Sequence, residues 1–130
     1  RAPHFVGGGV VFGPSANRNY TKKMNKKERR LALKSALTYK VNDKAIEVVE
    51  KFEAETNKTK DMLNALAELK LSGKILIVTT ELTENLILAT RNLANVNLVL
   101  ANELNTYNVL YAYKILITED AVKYVEEVLK

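Results

Sequence analysis

Lys74-Ile75-Leu76-Ile77-Val78-Thr79-Thr80 is the stretch on which the fold turns. It is a continuous β-branched and aliphatic run with no polar alternation, the pattern of a strand covered on both faces. Gly73 stands just before it, and before that Lys58–Leu71 places Met62, Leu63, Leu66 and Leu69 at helical spacing, with Gly73 as the expected stop. After it, Glu84–Leu93 reads as a helix and Val96–Leu100 as a strand. Asn105 caps a short helix reaching about Ala112, and Lys114–Ile117 reads as a further strand. Thr118 then caps a final helix, with Glu119 and Asp120 in the first turn, where the helix dipole favours acids. The core-facing positions of that helix are Ala121, Val122, Val125, Val128 and Leu129. Upstream, Ala45–Val49 suits a strand. This alternation predicts an α/β fold, a three-layer α/β/α sandwich around a mostly parallel four-stranded sheet.

The first 24 residues are different in kind. Pro3, Gly7-Gly8-Gly9, Gly13-Pro14 and the polar run Ser15–Asn19 punctuate against regular structure, giving an expected division into an irregular basic arm (1–24) and an α/β domain (25–130). The domain opens on a helix. Asn25 and Glu28 have capping-box spacing, and the helix is expected to run to about Tyr39 or Lys40. Leu33, Ala36 and Leu37 form its buried side, while Lys27, Arg30 and Lys34 lie on an adjacent stripe.

Charge is segregated along the 130 residues. Positions 1–40 carry ten Lys/Arg against the single acid Glu28, whereas positions 41–130 carry ten against fourteen acids, for a net charge of +5. Such asymmetry points to a polyanion partner for the basic end. A lysine stripe alone more often marks a solvated helix face. Here the preceding segment is basic as well, through Arg18, Lys22 and Lys23. Arg1, His4 and Arg18 flank the glycines, which are expected to let the backbone lie close to a nucleic-acid backbone. Tyr20 is the best-placed ring for stacking on an unpaired base. For Phe12, stacking and anchoring to the core are equally good readings.

Other functions find little support. Gly7–Phe12 departs from the dinucleotide fingerprint at Phe12 and is followed by no Gly-Lys-Ser/Thr, so neither phosphate-loop pattern fits. There is no cysteine and His4 is the only histidine, which leaves no zinc ligand set. Ser15, Ser35 and Ser72 sit in no nucleophile motif, and no catalytic constellation is expected; nor is a cofactor or small-molecule substrate. A nucleotide-binding enzyme using the strand ends after Thr80 or Thr118 is the first alternative. A module for anionic membrane surfaces is the second, but the glycines and scattered apolar residues make a poor interfacial helix. The apolar runs are too short for a membrane span and Arg1-Ala2-Pro3-His4 opens no signal peptide, so the sequons at Asn19 and Asn57 read as chance matches.

The string RAPHFVGGGVVFGPSANRNYTKKMNKKERRLALKSAL, Arg1–Leu37, resembles the bacterial family of large-subunit ribosomal protein L four. Leu76–Thr79, Arg91-Asn92-Leu93 and Leu104–Tyr111 are similar to later family motifs, with Tyr111 replacing a leucine. The resemblance implies an α/β domain bearing a long extension that threads ribosomal RNA to the wall of the nascent-peptide tunnel, a role in subunit assembly, and no catalysis. It implies large-subunit rRNA and neighbouring ribosomal proteins as partners, with cytoplasmic ribosomes as the location. Arg1–Gly13 corresponds to the returning arm of the extension. Arg18, Lys22, Lys23, Lys26, Lys27, Arg29, Arg30 and Lys34 match the family's basic run, and rRNA contact is carried over to them and to Arg91 and Asn92. Family members begin with a strand, a helix and the outgoing half of the extension, so the chain is expected to be a piece of a longer protein.

Overall fold

The strands of the computed structural model, which describes residues 1–54 and 56–130, are β1 (Ile46–Val49), β2 (Ile75–Thr79), β3 (Val96–Leu100) and β4 (Lys114–Thr118). They form one sheet in the order β1-β4-β2-β3, and every pairing is parallel. The helices are α1 (Lys26–Asn42), α2 (Thr59–Glu68), α3 (Glu84–Thr90), α4 (Thr106–Tyr111) and α5 (Glu119–Leu129), with a 3-10 turn at Ala101–Glu103. Parallel neighbours cannot be joined by a tight hairpin, so successive strands are connected by crossovers that each carry a helix.

β2 is buried at all five positions. Successive side chains point to opposite faces, so the strand feeds two cores. Leu76 and Val78 join Ile115, Ile117, Ala36 of α1, Val109 of α4 and Ala121 of α5. Ile75 and Ile77 join Leu116, Met62 and Leu66 of α2, and Leu86 and Ala89 of α3. The three-layer sandwich is therefore present, with α1, α4 and α5 on one face and α2 and α3 on the other. Burying each large aliphatic side chain contributes about 1.5–3 kcal/mol, which makes β2 and β4 the centre of stability.

Element ends differ from expectation in instructive ways. Helix α2 stops at Glu68, well before Gly73. Lys70 takes the left-handed conformation (φ 53), its N–H donates to the Ala67 carbonyl, and the Leu71 N–H donates to the Leu66 carbonyl. That is a Schellman stop with lysine in the position glycine usually fills. Helix α1 runs on to Asn42 and ends in the same way, with Lys44 at φ 52, its N–H on the Val41 carbonyl and the Ala45 N–H on the Lys40 carbonyl. Gly73 (φ 83) serves the entry to β2 instead: a Cβ there would meet the Tyr113 ring at 2.8 Å. Helix α3 ends at Thr90, short of Leu93, where the threonine hydroxyl donates to the Leu86 carbonyl at 2.7 Å. Asn105 caps α4 as expected, accepting from the Asn108 N–H at 2.8 Å. Thr118 occupies the cap position of α5, but its hydroxyl makes no cap bond. On that helix Val128 is exposed, outside the apolar stripe.

A left-handed lysine carries a steric cost that glycine lacks, offset in part by the greater freedom of glycine in the unfolded chain. Lys70→Gly is therefore expected to raise stability by about 0.5–1 kcal/mol. Chemical denaturation would register this as a higher midpoint with an unchanged slope.

Candidate nucleic-acid interface

Helix α1 is held by one side only. Ala36 is buried, and Leu33 and Leu37 pack half-buried against the same core. Lys26, Lys27, Arg29, Arg30 and Lys34 are all exposed. Glu28, the sole acid among them, is turned back to the helix start, where its carboxylate accepts from the Asn25 N–H at 3.2 Å. Arg29 Nη2 reaches the Met24 carbonyl at 3.4 Å. The ion pairs among the described residues, Lys114–Glu47 and Lys123–Asp120, do not involve α1 or the residues before it. Lys26, Lys27, Arg29, Arg30 and Lys34 thus face solvent without carboxylate partners among the described residues, the state in which they release most counterions on meeting phosphates.

Residues 1–25 contain no helix or strand, and their backbone hydrogen bonds are local, such as Phe5 N–H to Ala2 and Gly8 N–H to Phe5. The Arg18 guanidinium lies 5.2 Å from the Tyr20 ring centre, so the proposed stacking ring already carries a cation. The His4 and Phe5 rings meet at 4.5 Å. Arg1, Lys22 and Lys23 are exposed. Phe12 is 99% exposed at φ 54, so it does not anchor this segment to the core. The triple glycine divides by role. Gly7 takes a positive φ, and Gly8 is demanded by its own turn, because a Cβ would lie 2.2 Å from the Ala2 carbonyl oxygen and 2.8 Å from that of Phe5. Gly9 faces open space, with nothing within 4 Å of an added Cβ.

Arg91 and Asn92 are not gathered with this group. They follow α3, on the opposite layer and at the end of the sheet where strands begin. That end is basic, with Lys40, Lys44, Lys70, Lys74, Arg91 and Lys114 against Asp43, Glu47 and Glu68 on the flanking turns and strand starts. The end where strands finish is acidic. There β2 and β4, adjacent in the sheet, lead into helices on opposite faces, the arrangement that opens a ligand crevice in doubly wound folds. Glu50, Glu53, Glu81 and Asp120 line this crevice with a single cation, Lys51, and with Thr79 and Thr118, whose buried hydroxyls have no hydrogen-bond partner. Four carboxylates against one lysine make a poor seat for a nucleotide's phosphates, which weighs against the nucleotide-enzyme alternative. Sequence reading missed this polarity of the body because it summed charge along the chain. Assigning each charged residue to a strand's beginning or end would have found it.

Among the described residues no group of three or more His, Asp or Glu side chains can hold a metal ion, and no helix is long and apolar enough to cross a membrane.

Fold and surface together define a doubly wound α/β domain entered through a cationic helix and a basic, glycine-containing segment. The chain belongs to the ribosomal protein L4/L1 family, whose profile matches residues 1–128. It is 45% identical over 129 residues to the large ribosomal subunit protein uL4 of Spiroplasma kunkelii, covering 98% of this chain and 62% of that protein. The uL4 proteins of Phytoplasma mali (44% identity, all of this chain) and Staphylococcus carnosus (46%, 99% of this chain) are similar over the same 62% of their lengths. The chain thus spans about 62% of the length of the curated relatives it matches.

Exposed backbone held only by local bonds is what proteases cut. Trypsin added to the free chain is expected to cleave first after Arg18, Lys22 and Lys23, leaving a resistant fragment of the remaining residues. Mass spectrometry of the early fragments checks this, and protection of residues 1–24 would count against it.

Proposed function

We propose that this chain binds large-subunit ribosomal RNA and acts as a structural constituent of the large ribosomal subunit, supporting its assembly without catalysing a reaction. The observation that carries the reading is the unpaired cationic side of α1, continuous in sequence with Arg18, Lys22 and Lys23. In this reading residues 1–24 are an arm that orders on RNA, and residues 25–130 are the domain that anchors it. Arg1, His4, Gly7, Gly8, Gly9 and Tyr20 contact the RNA along the arm; Lys26, Lys27, Arg29, Arg30 and Lys34 continue the grip on the helix, and Arg91 and Asn92 add a separate contact from the turn after α3. The uL4 names of the relatives support the assignment to the large subunit. Neighbouring large-subunit proteins are the further partners, ribosomes in the cytoplasm are the location, and the tunnel wall is reached by the extension that the family carries.

The mechanism is electrostatic positioning. Each lysine or arginine that meets a phosphate releases counterions, so log K falls with log salt by roughly 0.7–0.9 per contact. Phosphate contacts of this kind set register and orientation, while sequence is read by bases and shape. Charge reversal of Arg29, Arg30 and Lys34 together to glutamate is expected to abolish rRNA binding, while circular dichroism and the thermal midpoint stay near wild type because all three side chains are exposed. A filter-binding titration against large-subunit rRNA, repeated at several salt concentrations, tests it. Unchanged affinity and salt slope would reject the helix as the grip.

A further inference from the structure

The basic end of the sheet carries a second feature, an exposed tyrosine array. Tyr107 and Tyr111, one turn apart on α4, stack with ring centres 5.6 Å apart and planes 16° from parallel. Lys74 Nζ lies 3.8 Å from the centre of the Tyr111 ring and 6.0 Å from that of Tyr113. These rings are not core residues: Tyr107 is 70% exposed, Tyr111 50% and Tyr113 65%. The backbone beneath them is fixed. The N–H groups of Tyr113 and Lys114 both donate to the Lys74 carbonyl, at 2.7 and 3.2 Å, and Lys40 Nζ donates to the Ala112 carbonyl at 2.6 Å. Gly73 leaves the space that the Tyr113 ring occupies.

We infer that Tyr107, Tyr111 and Tyr113, with Lys74 among them, form a stacking platform for unpaired RNA bases, a second RNA contact separate from the arm and α1. The inference rests on the reading that the chain binds rRNA. Three observations favour RNA over a protein partner. The surrounding charge is mainly lysine, which protein interfaces deplete and phosphates attract. Of the carboxylates at this end, Glu47 already pairs with Lys114 at 3.8 Å. Aromatic rings exposed beside cations are the surface on which single-stranded RNA is held, bases on rings and phosphates on ammonium groups. Lys44 and Lys70 add to this edge from left-handed positions where glycine carries less strain.

The test compares wild type with Tyr107→Ala/Tyr111→Ala, Tyr107→Phe/Tyr111→Phe and the charge-reversed α1 variant, using the anisotropy of a labelled single-stranded oligouridylate RNA and of an abasic ribose-phosphate strand of equal length. The expected result is binding to the RNA weakened about 10-fold by the alanine pair, in line with the loss of stacking. The abasic strand should be unaffected, the salt slope unchanged and affinity kept by the phenylalanine pair, which retains rings and packing even if the alanine pair is less stable. Wild-type affinity in the alanine pair overturns the platform; if the α1 variant has lost rRNA binding, the reading of the helix survives that result. Equal weakening on both strands, or loss only of a contact to another ribosomal protein, overturns it too. Failure of the wild type to bind any RNA overturns the platform together with the reading it rests on.

Discussion

The pairing of β2 with β4 is the constraint from which the rest of the molecule follows. Ile75–Val78 lie beside Lys114–Ile117, and between them these strands send Leu76, Val78, Ile115 and Ile117 to one face and Ile75, Ile77 and Leu116 to the other. Apolar surface on both faces of a sheet requires a helical layer on each, and a parallel pair requires a crossover between its members. Both demands are met by the same segments. Helix α2 covers one face while carrying the chain from β1 to β2, and α4 covers the other while carrying it from β3 to β4. Because every strand points the same way, all turns from helix into strand collect at one end of the sheet. The two ends of the molecule therefore present different kinds of chain.

That collection explains where the lysines stand. Helices α1 and α2 must stop and reverse before their strands begin, within three residues for α1 and six for α2, and both do so through a left-handed lysine. A cation near a helix C-terminus interacts favourably with the dipole by about 0.3–1 kcal/mol, which offsets part of the left-handed cost of about 1–2 kcal/mol. The balance is close to neutral or slightly unfavourable for stability, so stability alone does not choose lysine there. Its effect is to set two cations beside Lys74 and Lys114 at the end of the sheet that also bears the tyrosines.

Most of the fold was legible in the sequence, since hydrophobic period and length separate KILIVTT from the amphipathic helices on either side. All five helices and four strands fall where periodicity placed them, and the all-parallel sheet follows from their alternation. Helix ends were less legible. Gly73 looks like a stop because glycine usually is one, yet the bonds that end α2 are made by Lys70 and Leu71, and a lysine in that role leaves no compositional mark. The exposed side of α1 was readable from spacing, because a helix has a fixed period. The local reason for Gly8 was not, since it depends on two carbonyl oxygens converging on one Cα. The tyrosine array was hidden as well. Its Tyr107–Tyr111 pair has helical spacing, but Lys74 joins them only through the β2–β4 pairing.

The same topology gives the body's net charge a direction. Residues 41–130, with their small excess of acid, look indifferent to a polyanion when their charge is averaged. With Glu50, Glu53, Glu81 and Asp120 gathered where strands finish, and Lys44, Lys70, Lys74 and Lys114 where they begin, the domain carries a dipole along the strands. A phosphate-rich surface repels the first end and attracts the second, within a screening length of about 8 Å at physiological salt. Polarity of this kind restricts the orientations in which the domain can approach RNA. For a polyanion drawn to the basic end, the crevice that doubly wound folds commonly use for ligands faces the other way.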